Sequence, residues 1–236
     1  MRLAWHVPQP GDWCYIPGNE VNPSHMSLNR LTEDVFKKQL LPGEKMDVMC
    51  KVFLDALYNT LQWDKLDSCT HAFHSEKRYI SLRTLCRRAM VDAATRSMFG
   101  SHLHQIEPNV VDYMLTFNDY AWMVFFRYPD LFGSPVSDAR KRLTEALKTF
   151  IQLPEDQRAE QAWAIKTIIA AQGIVGIDLE ARASVILMIY WAWVILSNFL
   201  LLSEHTDKLS ERTLTSTTSH SGFLLICYTM RLSWLL

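Results

Sequence analysis

The chain has 236 residues, with 24 Lys and Arg against 25 Asp and Glu, and 49% of its residues are hydrophobic. This length suits one large domain or two small ones, and the balanced charge argues against a disordered charged chain or a nucleic-acid-binding protein. Five cysteines without paired spacing argue against a disulfide framework and favour a reducing compartment.

The first half of the chain predicts three helices separated by turns. Pro and Gly residues punctuate the first 40 residues, so only 28–40 is expected to form a helix there. The Leu-Pro-Gly break at 41–43 is followed by apolar residues at helical spacing from Met46 to Leu61. A third helix is predicted over 79–99, where the following glycine suits a helix end.

The second half predicts further helices. One that is rich in aromatic residues is predicted over 108–128, and Ser137 is expected to cap the next. Pro154 opens another helix that ends near Gly173, and Asp178 caps the long apolar run that follows. No segment shows the alternating pattern of a strand between turns, so an all-α fold is predicted.

Residues 183–203 form the strongest single signal, because these 21 residues carry no charge. About 20 uncharged residues in a helix span a bilayer core, so a transmembrane helix is one interpretation. The alternative is a buried central helix that is apolar on all sides because other helices surround it. The composition then changes in 204–236, where a Ser/Thr-rich stretch precedes a second apolar segment.

A short segment that contains two histidines and a cysteine is a candidate metal site. Cys69, His71 and His74 place three soft-metal ligands within six residues, and His102 and His104 lie further along the chain. A structural zinc site needs about four ligands in tetrahedral reach. The spacing matches no zinc motif, so a solvated loop between helices is favoured and no metal ligand is assigned.

Two features of the 108–128 helix bear on chemistry. Asp112 and Asp119 lie about two turns apart, which suits either an acid/base pair or a solvated face. The aromatic side chains suit either an apolar pocket or core packing, of which core packing is favoured. No catalytic residue is assigned. The aromatic residues are Tyr113, Phe117, Tyr120, Trp122, Phe125 and Phe126.

Segments spread over 20–203 carry a family resemblance. Three segments resemble successive segments of fungal cytochrome P-450 enzymes, the haem-thiolate monooxygenases: LLPGEKMD at 40–47, SLRTLCRRAMVDAATRSMFG at 81–100 and WMVFFRYP at 122–129. The Leu-Pro at 153–154 and the Ile-Tyr-Trp at 189–191 are similar to further family segments. The order and spacing of these segments correspond to the middle of such an enzyme.

The resemblance implies an all-α, cytochrome P-450-like helical core in 1–203 and a divergent tail in 204–236. The family counterpart of the 183–203 helix lies over the haem, which implies that Trp191 and Asn198 line a substrate pocket. Full-length relatives use haem and electrons from a P-450 reductase to insert oxygen into apolar small molecules of fungal secondary metabolism. The implied location is the endoplasmic reticulum membrane, with a cytoplasmic location as the alternative.

The chain departs from the family where the chemistry depends on it. Haem-thiolate oxidation requires a cysteine ligand to the iron. The family carries that cysteine in a Phe-x-x-Gly-x-x-x-Cys-x-Gly loop, which this sequence lacks, as it lacks the early sheet region. None of the five cysteines lies in such a setting: Cys14, Cys50, Cys69, Cys86 and Cys227.

Two functional hypotheses follow from the sequence. The first is a truncated monooxygenase, without thiolate-ligated haem and without activity of its own. The second is a non-enzymatic helical protein that is anchored in a membrane through 183–203. Neither hypothesis includes a nucleic-acid partner.

Overall fold

The computed structural model describes residues 26–62, 65–66, 69–74, 77–126 and 134–210, and this part of the chain is mostly helical. The all-α fold predicted from the sequence is confirmed. The helices are α1 Leu28–Leu40, α2 Glu44–Thr60, α3 Leu82–Phe99, α4 His102–Ile106, α5 Val110–Phe125, α6 Pro135–Gln152, α7 Trp163–Ile174 and α8 Leu179–Ser210, and the strands are β1 Thr70–His74 and β2 Lys77–Ile80.

Several helix boundaries agree with the predicted ones. α1 has the predicted bounds, and α3 ends at Gly100, whose φ of 67° is a left-handed conformation that glycine adopts without a steric penalty. The Asp178 carboxylate accepts a hydrogen bond from the backbone N–H of Ala181 at 3.0 Å and so caps α8. These boundaries are set by local chemistry, which is why the sequence reveals them.

The prediction that 79–99 is one helix, with no strand before it, is wrong. Tyr79 and Ile80 belong to β2, which pairs antiparallel with β1, and α3 begins only at Leu82. Ser81 caps α3, since its Oγ accepts a hydrogen bond from the backbone N–H of Thr84 at 3.3 Å. The hairpin has two short strands with an irregular register near Thr70, so its sequence leaves no room for a clear alternating pattern.

Two boundaries in the second half also differ from the prediction. The cap of α6 is Ser134 rather than Ser137, because Ser134 Oγ accepts the backbone N–H of Val136 at 3.2 Å and Pro135 occupies the first helical position. The helix expected from Pro154 is replaced by a 3-10 turn at Asp156–Arg158, and α7 starts only at Trp163.

Helix α8 forms the centre of the core and packs chiefly against α6 and α3. None of the side chains in 183–195 is exposed, and Tyr190 is completely buried. Phe99 contacts both Phe150 and Tyr190 edge to face, with ring centroids 5.3 and 5.2 Å apart. Burying side chains of this size contributes roughly 1.5–3 kcal/mol each, so these contacts hold α3, α6 and α8 together.

The uncharged segment is surrounded by protein at 183–195, the part whose side chains are described, as expected for a buried central helix. Within the described residues, no helix combines the length and the apolar character that crossing a membrane requires. The side chains of 196–210 and the segment 211–236 lie outside the described part of the chain. The Ser/Thr-rich stretch and the second apolar segment of the tail are therefore not described.

Candidate functional site

The carboxylates of Asp112 and Asp119 are both engaged by arginines of the neighbouring helix α3. Asp112 pairs with Arg88, and one bond of that pair, Arg88 Nη2 to Asp112 Oδ2, measures 3.2 Å. Asp119 pairs with Arg87 in the same way. Hydrogen bonding to Asp112 raises the pKa of Arg88. This arrangement is a partly exposed row of ion pairs, in line with the solvated-face interpretation.

A third carboxylate, Asp92 of α3, is surrounded by donors from three helices. Its Oδ2 accepts from Thr60 Oγ1 of α2 at 2.8 Å, and Arg96 Nε lies 3.1 Å from the same oxygen. Its Oδ1 lies 2.7 Å from His104 Nε2 of α4. Burial alone would raise the pKa of Asp92, but hydrogen bonds from His104 and Thr60 and the charge of Arg96 outweigh it and lower the pKa to about 2.

The imidazole of His104 is oriented by this carboxylate. An ionised carboxylate only accepts hydrogen bonds, so His104 Nε2 carries the proton and donates it to Asp92. Its other nitrogen, Nδ1, is buried and has no hydrogen-bond partner among the described residues. A general base must present a nitrogen to its substrate. Because Nδ1 is enclosed, the Asp92–His104 pair joins helices rather than presenting a base.

Above this network lies a cleft of about 500 Å³ that opens to solvent. Its lining comes from α2, the segment that follows α2, α3, α4 and the start of α5. The size lies within the usual range for small-molecule sites. Apolar side chains form part of its wall and charged side chains another part; among them are Leu85, Val111, Lys65, Arg88, Arg96 and Cys69.

The sequence did not single out Asp92, Thr60 or Arg96. Asp92 and Arg96 are four residues apart on one helix, a spacing that brings opposite charges together and that a search for ion pairs would have found. Thr60 is 32 residues away from Asp92 in the chain, and only the packing of α2 on α3 brings it into contact. His104, which lies beyond the Cys69–His74 segment in the sequence, contacts Asp92 in the structure.

Among the described residues, no group of three or more His, Cys, Asp or Glu side chains is arranged to hold a metal ion. Cys69 lies in the lining of the cleft and is buried. The side chains of His71 and His74 lie outside the described part of the chain. The expectation of a loop between helices is wrong for the backbone, because 70–74 forms strand β1 and pairs with β2.

Trp191, which the family resemblance places at a substrate pocket, is part of the core over its described contacts. Its side chain is 5% exposed, and its indole N–H donates to Asn118 Oδ1 of α5 at 3.1 Å. The ring packs edge to face against Phe117, with centroids 6.0 Å apart. The side chain of Asn198 lies outside the described residues, so the pair of pocket residues stays a prediction.

The aromatic residues of α5 divide between the core and the surface. Phe117 is 2% exposed and packs inside, whereas Tyr120, Trp122 and Phe126 are exposed at 41%, 49% and 80%. The side chain of Phe125 lies outside the described residues. The described aromatic rings therefore do not converge on one apolar pocket, and core packing explains only the inward-facing members.

The three described cysteines lie in different settings. Cys69 is buried in the cleft, whose lining combines the charged Arg88, Asp92 and Arg96 with apolar side chains. Cys86 is exposed on α3, and Cys50 is half-buried on α2, where burial raises the pKa of its thiol. A raised pKa disfavours the thiolate form that ligates iron.

No family model, curated protein or solved structure matches this chain. The likeness to cytochrome P-450 enzymes thus depends on the sequence segments described above.

Proposed function

We propose that this chain is a cytochrome P-450-like helical core without monooxygenase activity of its own. Its full-length relatives, by resemblance, bind haem, receive electrons from a P-450 reductase and oxidise apolar small molecules in fungal secondary metabolism. Within residues 1–236, packed helices are present and the family's ligand loop, on which the oxidation depends, does not occur.

One observation carries the proposal: two of the segments that resemble the family lie in helices that pack against each other, α3 and the central helix α8. The segment at 81–100 belongs largely to α3, the segment at 189–191 lies in α8, and α3 packs against α8. Tyr190 bonds with Thr95 across that interface, which joins two of the resembling segments directly. This supports a shared origin of the segments as one packed unit.

The setting of the described cysteines supports the absence of activity. Oxygen insertion needs an iron-bound thiolate beside the substrate. Of the described cysteines, Cys86 is exposed, Cys50 is on α2 and Cys69 lies in the polar cleft. The side chains of 183–195, which include Trp191, are not exposed, so this part of α8 is enclosed by other helices.

A reduced carbon-monoxide difference spectrum tests the proposal. We expect no thiolate-haem band from the purified full chain after incubation with haemin, because the described cysteines do not meet the requirements of the ligand. The Cys69→Ser variant is the matched control, since it removes the most buried of the described thiols. A thiolate-haem band in the unaltered chain that is lost in Cys69→Ser would overturn the proposal and identify the ligand.

The membrane-anchor hypothesis is tested by a separate measurement. If 183–203 spans a bilayer, the chain resists extraction of membranes with alkaline carbonate. We expect extraction instead, because the side chains of 183–195 are packed against α3 and α6. Retention in the membrane pellet would favour the anchored, non-enzymatic protein over the P-450-like core.

A further inference from the structure

We infer that the cleft between α2, α3 and the α4–α5 corner binds an organic anion, a carboxylate carried on a small apolar body. This inference is independent of the P-450-like function. It depends on the shape of the cleft, on the state of its charges and on the apolar part of its wall.

The cleft has room for such a ligand. Its volume is about 500 Å³, and it opens to solvent on one side. Small-molecule sites usually have a volume of roughly 300–1,000 Å³, with apolar walls and a few converging polar groups. A chain of several carbon atoms that ends in a carboxylate fits these dimensions.

The acidic groups of the cleft are neutralised by groups of the protein itself. Asp92 is held by Thr60, Arg96 and His104, and Asp112 is held by Arg88. A bound anion therefore meets carboxylates that are already paired, which weakens their repulsion. Among the lining residues, three cations stand against two carboxylates, so the lining has a positive excess.

Some N–H donors of the cationic side chains in the cleft are not used in these ion pairs. Arg96 contacts Asp92 through Nε, and no hydrogen bond of its two Nη groups occurs among the described residues. Glu160 of the 3-10 region lies near enough for the charge of Arg96 to contribute to a lowered pKa of Glu160, although its main partners are the backbone N–H and hydroxyl of Ser101. Lys65 is an exposed member of the lining and forms no ion pair with a described residue.

The apolar wall favours an organic anion over inorganic phosphate. Leu85 of α3, Val111 of α5, Ala56 of α2 and Pro108 are part of the lining. Burying carbon surface against such side chains contributes about 25 cal/mol per Å². A fatty acid of medium length matches both the apolar wall and the cationic side, whereas phosphate matches only the latter.

Isothermal titration of the full chain with octanoate tests this site. We expect saturable binding with a Kd below about 1 mM. Octanol and inorganic phosphate serve as matched probes, because the first lacks the charge and the second lacks the apolar body. Each is expected to bind more weakly than octanoate. Equal binding of octanol and octanoate, or of phosphate and octanoate, would overturn the inference.

Three variants locate the binding. Lys65→Gln removes an exposed cation that plays no part in the Asp92 network, and we expect it to weaken octanoate binding about three- to five-fold, as for a partly exposed ion pair. Leu85→Trp places a larger side chain in the cleft and fills part of its volume, so we expect it to abolish octanoate binding. Arg140→Gln, on an exposed position of α6 outside the cleft, is the control and leaves binding unchanged.

The outcomes separate a site from general attraction of anions. Equal weakening by Arg140→Gln and Lys65→Gln would show that overall charge, rather than the cleft, attracts octanoate. The absence of saturable heat with a folded chain, verified by circular dichroism, would also contradict the site. The spectroscopic test of haem binding does not depend on either result, so the two proposals fail separately.

Discussion

The indole N–H of Trp191 donates a hydrogen bond to Asn118 Oδ1 at 3.1 Å, which ties the central helix α8 to α5. The tryptophan is 5% exposed, so this bond forms in a largely dry setting where a lost partner is costly. Trp191, which the family resemblance suggests as a pocket residue, thus links α8 to α5 through its described contacts.

Replacing Trp191 with Phe is expected to destabilise the protein by about 1–3 kcal/mol, because the Asn118 amide loses its donor while most of the ring volume is kept. Trp191→Ala removes the ring contacts as well and is expected to cost about 3–5 kcal/mol. Urea unfolding of both variants and of Asn118→Ala measures these values. Strict additivity of the Trp191→Phe and Asn118→Ala effects in a double-mutant cycle would contradict a direct bond.

Asp92 is expected to make folding stability depend on acid pH. Its pKa is lowered from an ordinary value of 3.8 to about 2 in the folded chain, so the ionised form is favoured by folding. The resulting stabilisation, about 2 kcal/mol, is present above pH about 4 and is lost as the pH falls towards 2. Urea unfolding between these pH values, in the unaltered chain and in Asp92→Asn, measures it.

The matched control for this prediction is Asp112→Asn. Asp112 is 51% exposed in its ion pair with Arg88, so its contribution to stability is small. We expect Asp112→Asn to retain the acid-dependent loss of stability that Asp92→Asn lacks. If Asp92→Asn and the unaltered chain lost stability identically as the pH falls, the donors around Asp92 would not lower its pKa on folding.

Gly100 is expected to tolerate no side chain. Its φ of 67° disfavours other residues, and a Cβ at this position would lie 2.5 Å from Glu160 Cβ. Gly100→Ala is therefore expected to destabilise the protein by about 1–3 kcal/mol in thermal or urea unfolding. Gly173→Ala is the control, because Gly173 lies within α7 and the nearest contact of its added Cβ is an ordinary 3.7 Å. A stability of Gly100→Ala equal to that of Gly173→Ala would contradict the close approach.

Gln39 is expected to hold three helices together. Its Nε2 donates to the carbonyl oxygen of Lys45 at 2.8 Å, and its Oε1 accepts from the backbone N–H of Ala164 at 3.1 Å. Gln39→Leu leaves the buried backbone N–H of Ala164 without its acceptor, which costs about 1–3 kcal/mol, and it removes a donor from the carbonyl oxygen of the exposed Lys45. The exposed Gln152→Leu is the control for the change of residue type. Equal unfolding midpoints of the two variants would show that these bonds contribute nothing.

Much of the helical architecture could be predicted because its signals are local. The apolar spacing after the 41–43 break predicted α2, and the side chain of Asp178 predicted the start of α8. The two short strands were missed, since their stability comes from pairing with each other and not from a pattern within either one. The 3-10 turn that replaces the start of the helix expected after Pro154 was also missed. It is stabilised by a side-chain contact, in which Arg158 donates to the carbonyl oxygen of Leu153, and helical periodicity does not reveal such a contact.

The sequence by itself determined that the chain is helical, where some helices begin or end, such as α1 and the start of α8, and that 183–203 carries no charge. Only the tertiary structure decided what surrounds that segment and which charged groups meet. Helical periodicity and capping act within a few residues, so they can be read along the chain. The contact of Thr60 with Asp92, and that of Asn118 with Trp191, join residues 32 and 73 positions apart and exist only after the helices have packed.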